Sequence, residues 1–192
     1  IAWQPTAGLH WQQAIAGRPL AEMDGGLDPR RGAQVGELIA LLHATPVSLP
    51  VALGVTIDDL RRERRRTAQV IACIDAEWAT RTCDVVRMLA RADTALPLLR
   101  VATLHGDLHS GNLLVDRDDT LSLIDFDSMR RGPAALELGS WIANSMVSAL
   151  REGRAPVSTA PQWRAMLRAC ADASDRAAMP DEPVLAWATA HQ

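Results

Sequence analysis

Two short apolar runs, Asn112–Asp116 and Leu121–Phe126, are separated only by Arg117-Asp-Asp-Thr120, and helical periodicity flanks them on both sides. Turn-forming residues between two runs of strand length make a β-hairpin. A hairpin alone is barely stable in water, so this one must sit among the helices around it. Upstream, Val35, Leu38, Ile39 and Leu42 fall at i, i+3, i+4 and i+7, one face of a helix that Pro46 and Pro50 end. Asp58 and Asp59 suit the start of a long helix whose later apolar face is Ile71, Ile74 and Trp78. Val85, Val86, Met88 and Leu89 give another helix before Pro97, and Val101–His105 reads as a further short strand. Downstream, Leu138, Trp141, Ile142, Met146 and Leu150 form a helical stripe. Trp163, Met166, Leu167 and Cys170 form one more, with Pro161 in its first turn, and a short helix around Val184–Ala190 closes the chain. Residues 1–28 differ. Ile1-Ala-Trp and Trp11–Ile15 read as two strands, broken by Pro5, Gly8, Gly17 and Pro19, before a loop through Asp24-Gly-Gly. The pattern is α+β: a small β element within a mostly helical domain.

The chain has 192 residues, 48% of them hydrophobic, which excludes disorder as its main state. No apolar run approaches the ~18 residues of a membrane span. A net charge of -3 gives no general attraction to nucleic acid or anionic lipid. Lys and Tyr are absent, so all 20 basic residues are Arg. Cys73, Cys83 and Cys170 form no CxxC pair and fall in helical segments, where small core roles are expected. Their sparse, odd count, with no signal-peptide pattern in residues 1–20, predicts a cytoplasmic protein. Arg61-Arg-Glu-Arg-Arg-Arg66 lacks interleaved aromatic residues and reads as a solvated helix face, with Glu63 paired to its neighbours, rather than a nucleic-acid patch.

The polar residues of the hairpin carry the chemistry. If Asp116 pairs with Leu121, the register places Asn112 opposite Asp125, and opposed residues share a face ~5 Å apart. An amide oxygen and a carboxylate at that separation suit Mg²⁺. Asp107 precedes the pair in the Gly-flanked segment His105-Gly-Asp-Leu-His-Ser-Gly-Asn112. A metal pair with a third carboxylate nearby supplies the parts of phosphoryl transfer: cation on the phosphates, carboxylate on the attacking hydroxyl. The same loop offers a second reading, a His-x-Asp-x-His metal site from His105, Asp107 and His109, as in a metallohydrolase.

His105-Gly-Asp107-x-x-x-x-Asn112, then Ile124-Asp125-Phe126-Asp127 and Gly132-Pro133, closely resembles the aminoglycoside phosphotransferase / choline kinase family, which has a protein-kinase-like fold. The resemblance implies Asp107 as catalytic base, Asn112 and Asp125 as Mg²⁺ ligands, and His105 as the residue holding the catalytic loop. Gly36–His43 looks like the family's first C-lobe helix, and residues 1–20 like its last N-lobe strands, with the adenine hinge at Ile15, Ala16 and Gly17. The implied division is an N-lobe remnant and hinge over 1–28 and a helical C-lobe with a small catalytic hairpin over 29–192, most of the N-lobe lying outside this sequence. The family's phosphate-gripping lysine has no counterpart here, and Glu137 stands where the family usually has Asp. Asp127, His109 and Glu137 are additional site candidates; Trp163, Trp187, Asp181 and Glu182 are candidates for acceptor contacts. The implied activity is transfer of the γ-phosphoryl of ATP (or GTP) to a hydroxyl of a small molecule such as an aminoglycoside, choline or a sugar. No nucleic-acid or membrane partner is implied, and oligomeric state is not readable. The alternative is a truncated pseudokinase that binds without transferring phosphate.

Overall fold

The computed structural model describes residues 2–4, 9–11, 14–23, 28–47, 56–95, 100–174, 179–180 and 182–190. Among the described residues, seven short strands and six α-helices follow one another as β1 (Ala2–Gln4), β2 (Leu9–Trp11), β3 (Arg18–Pro19), α1 (Pro29–Ala44), α2 (Ile57–Ile74), α3 (Ala76–Ala95), β4 (Val101–Leu104), β5 (Leu113–Val115), β6 (Leu121–Leu123), β7 (Arg130–Pro133), α4 (Ala134–Arg151), α5 (Ala160–Ala173) and α6 (Glu182–Ala190). The result is mostly helical α+β. The strands make three small antiparallel sheets, β1-β2, β3-β5-β6 and β4-β7.

The helices begin where the sequence supplies caps. Asp28 accepts from Arg31 N (2.8 Å), with Pro29 in the first turn of α1. Thr56 and Asp59 form a reciprocal capping box for α2. The expected long helix through Trp78 does not exist as one piece. Asp75 turns extended (φ -150°, ψ 120°), and its Oδ1 accepts from Trp78 N (2.9 Å), opening α3. The apolar face expected there is not core: Ile74 is 79% and Trp78 58% exposed, and Cys73 and Cys83 are exposed as well. α1 and α5 touch backbone to side. A Cβ on Gly36 would lie 2.2 Å from the Met166 carbonyl oxygen, so only glycine allows this approach.

Two apolar clusters flank the hairpin. The first gathers Leu20, Val35, Ile39, Leu108, Leu113, Trp141 and Met166 among others; the second gathers Leu60, Leu89, Leu104, Leu136 and Trp187. Leu104 belongs to one and Leu108 to the other, so His105, Gly106 and Asp107 bridge the two cores. Burying a side chain of Leu size contributes roughly 1.5–3 kcal/mol, so each end of this loop is anchored by packing. Among the described residues, no helix is long and apolar enough to cross a membrane.

Candidate active site

The hairpin register differs by one residue from the sequence expectation. β5 and β6 pair Val115 with Leu121, Leu114 with Ser122 and Leu113 with Leu123. Asp116 N donates to Thr120 O (3.1 Å), and Asp119 N to Asp116 O (3.2 Å). Only Arg117, Asp118 and Asp119 are loop, and Asp119 takes a left-handed conformation (φ 66°). That is the three-residue hairpin connection, which ends in a left-handed residue. Asp116 supports it, its Oδ1 accepting from Asp118 N and Thr120 N, both at 2.9 Å. Asn112 therefore faces Ile124, whose N donates to Asn112 O (3.0 Å), and Asp125 is the next residue on. Asp125 itself is left-handed (φ 63°, ψ 65°), so strand alternation stops at it and the chain turns into a short helical turn over Phe126–Ser128.

The loop before the hairpin is held at successive backbone groups. The Glu137 carboxylate accepts from His105 N, and its Oε1 from Gly106 N (3.4 Å). Glu137 is buried at the start of α4, and burial pushes its carboxyl above the ordinary value while those amide donors pull the other way. Arg130 Nη2 donates to Gly106 O (3.4 Å). Asn112 Nδ2 donates to Asp107 O (2.9 Å), and Asn144 Nδ2 to Leu108 O (3.4 Å). His105 is fully buried, and its Nε2 lies 2.8 Å from Ile124 O. A carbonyl only accepts, so Nε2 carries the proton. The ring also leans on Phe126, centroids 5.1 Å apart. Asp107, by contrast, is exposed, its side chain at 56%. It lines a cleft of about 470 Å³ whose other walls come from α2, α3 and the turn at Ser128.

The predicted residues thus fall into groups. Asp107, Asn112 and Asp125 lie on one continuous loop and hairpin, with Asp127 exposed in the turn beyond. Asn112 spends its amide nitrogen on Asp107, and its oxygen has no hydrogen-bond partner among the described residues. An unspent amide oxygen and the exposed Asp125 carboxylate are hard oxygen donors, a set that fits Mg²⁺. His109 Nδ1 accepts from Gly111 N (3.0 Å), capping the turn over Ser110–Asn112, while its Nε2 lies 3.7 Å from Asp107 Oδ2. The His105/Asp107/His109 metal site is not assembled. The proton on His105 Nε2 removes that nitrogen as a ligand, and no three His, Cys, Asp or Glu among the described residues are grouped to hold a metal. Ile15, Ala16 and Gly17 are exposed irregular chain, rather than the end of a strand, just ahead of β3. Trp187 is buried and Trp163 partly so; neither they nor exposed Glu182 lines the cleft, where α6 contributes only Ala190. Asp181 lies outside the described residues.

Sequence reasoning missed Arg130 and Asn144, which no motif spacing marks. In the arginine run, Arg62, Glu63, Arg65 and Arg66 are exposed as a solvated face should be, but two ties were missed. Arg61 Nε (3.0 Å) and Arg64 Nη2 both donate to Asp93, whose side chain is fully buried, and Trp187 Nε1 donates to the same carboxylate (2.9 Å). The Asp93 carboxyl is held down at about 2: burial raises it, but these donors outweigh burial. Two arginines of the run are therefore structural ties between α2, α3 and α6. No ion pair joins Glu63 to a neighbour among the described residues; it lines the cleft instead.

The model of the phosphotransferase enzyme family matches residues 3–169. No curated protein sequence matches the chain. Among solved structures, a type VIII aminoglycoside-3'-phosphotransferase aligns with TM-score 0.65 and 20% identity over 93% of this chain and 66% of its own. A spectinomycin phosphotransferase, solved with ADP and spectinomycin, gives 0.62 and 14% over 91% and 54%. A choline/ethanolamine kinase family protein from Mesorhizobium loti gives 0.53 and 15% over 98% and 77%. The chain thus spans between half and about three quarters of these relatives.

Proposed function

This chain belongs to the phosphotransferase enzyme family, and we propose that it transfers the γ-phosphoryl group of ATP to a hydroxyl of a small molecule. The observation that carries this reading is the brace around Asp107. The amides of His105 and Gly106 and the carbonyls of Gly106, Asp107 and Leu108 are tied down, yet the carboxylate is left exposed in a cleft. Such a group is pre-positioned for a ligand rather than used by the fold.

In this reading Asp107 orients the acceptor hydroxyl and accepts its proton. The freed oxygen bonds to the γ-phosphorus as the bond to the β–γ bridging oxygen breaks, and ADP leaves with that electron pair. Asn112 and Asp125 would hold Mg²⁺, which when bound offsets charge on the phosphates. His105 fixes the hairpin to the loop through the Ile124 carbonyl, and Glu137 fixes the loop to α4. Residues 1–28 serve as N-lobe remnant with the hinge at Ile15–Gly17, and 29–192 as the catalytic lobe.

The test is ATP-dependent phosphorylation of hydroxyl acceptors, spectinomycin, streptomycin, glucosamine and choline among them, by the chain and by Asp107→Asn. Transfer that Asp107→Asn abolishes supports the enzyme. Equal turnover by the variant, or nucleotide binding with no transfer to any acceptor, sinks it.

A further inference from the structure

The cleft beside Asp107 takes two arginines into its lining, Arg64 from α2 and Arg130 from β7. Arg64 is only 8% exposed. Its Nη2 is committed to Asp93, but Nε and Nη1 are buried without a hydrogen-bond partner among the described residues. Arg130 gives Nη2 to Gly106 O, and its Nε is likewise buried and unpartnered. A guanidinium carries five N–H donors, and leaving buried ones unmade is costly. The carboxylates of the lining are Asp107, which faces the hydroxyl in the proposed reaction, and Glu63, which is exposed on α2. The Ser128 and Thr82 side chains, also in the lining, add hydroxyl donors.

We propose that the acceptor bound in this cleft carries an anionic group, a carboxylate or a phosphate ester, beside its hydroxyl, and that Arg64 and Arg130 hold that group. The guanidinium fork matches both anions, whose oxygens accept pairs of N–H donors. Asp93 positions Arg64 for the task. The inference rests on reading the Asp107 cleft as the acceptor site, and it sets the acceptor apart from a polycation.

Calorimetry on the 192-residue chain tests it with four small probes: lactate, glycerol phosphate, propylene glycol and choline. At least one anion is expected to bind roughly tenfold more tightly than propylene glycol or choline, the scale of one charge-assisted pair. Which anion binds better separates carboxylate from phosphate. Arg64→Lys keeps a cation on Asp93 but loses the fork, and it is expected to weaken anion binding by about fivefold or more while the variant remains folded. Arg130→Gln is expected to do the same. Choline or the neutral diol binding as well as the anions, no anion binding at all, or both variants binding like the parent would each overturn the proposal. Anion binding without Asp107-dependent transfer would retire the proposed reaction but not this site. Efficient transfer to choline would do the reverse.

Discussion

Asp107 and His43 show opposite uses of a titratable side chain. Asp107 is exposed while its own carbonyl and those of its neighbours are held, so its value to the molecule lies outside the fold. Asp107→Asn is expected to leave the unfolding midpoint nearly unchanged and to lower turnover by about 10²–10⁴, the usual contribution of a positioned base. Steady-state kinetics beside thermal unfolding check both halves. His43, in the last turn of α1, is half-buried with Nε2 unpartnered, and burial first, then the charge of Arg100, lowers it to about 4. The sign follows from linkage. The unfolded chain takes up a proton near pH 6.5 and the folded one does not until about 4. Stability from this group is therefore present above 6.5 and is lost as pH falls toward 4, at no more than about 1.4 kcal/mol per pH unit. His43→Gln is expected to flatten that part of a urea-denaturation pH profile. An unchanged slope between 6.5 and 4 would mean the imidazole is solvated in the folded chain.

At the level of elements, the stripes of α1, α4 and α5 were legible because each is local: a repeat near 3.6 and, for α5, a proline in the first turn. The hairpin was legible as a hairpin but not in register. Counting Thr120 as loop gave a four-residue turn, whereas the left-handed Asp119 closes a three-residue one and shifts every pair by one. The break at Asp75 was hidden because apolar spacing continues across it, and the exposure of Ile74 and Trp78 shows that spacing alone does not name a partner. The Asp93 tie was invisible for another reason. It joins residues up to 94 positions apart, and nothing local in Arg61, Arg64 or Trp187 announces it. Its removal is the test at this scale. Asp93→Ala leaves two guanidiniums and an indole N–H facing a void, and is expected to cost about 3–5 kcal/mol. Hydrogen exchange should then rise in α2 and α6 before it rises in β5 and β6. Uniform loss of protection would show instead that the tie belongs to the global core.

On the scale of the molecule, the loop from His105 to Asp107 spans two apolar cores, and the strand β3 that follows the hinge candidate pairs directly with β5 of the hairpin. Gly17 sits at that junction with φ 150°, and a Cβ there would lie 2.9 Å from the Val115 carbonyl oxygen. The candidate hinge segment is thus pressed onto the strand that leads from Asn112, so the proposed nucleotide contact and the proposed cation pair share one piece of backbone. Two substitutions separate these contributions. Asp125→Asn removes charge from the cation site at an exposed position and is expected to abolish MgADP binding without altering unfolding. Gly17→Ala forces strain into the junction, and is expected to lower stability by about 1–3 kcal/mol and to weaken MgADP and metal-free ADP alike. Calorimetry with each nucleotide form reads the difference directly. If Gly17→Ala weakens only the magnesium form, the segment at 15–17 acts through the hairpin and is not itself the nucleotide contact. If it weakens neither, the hinge assignment is wrong, while the cation pair at Asn112 and Asp125 still stands on the first variant.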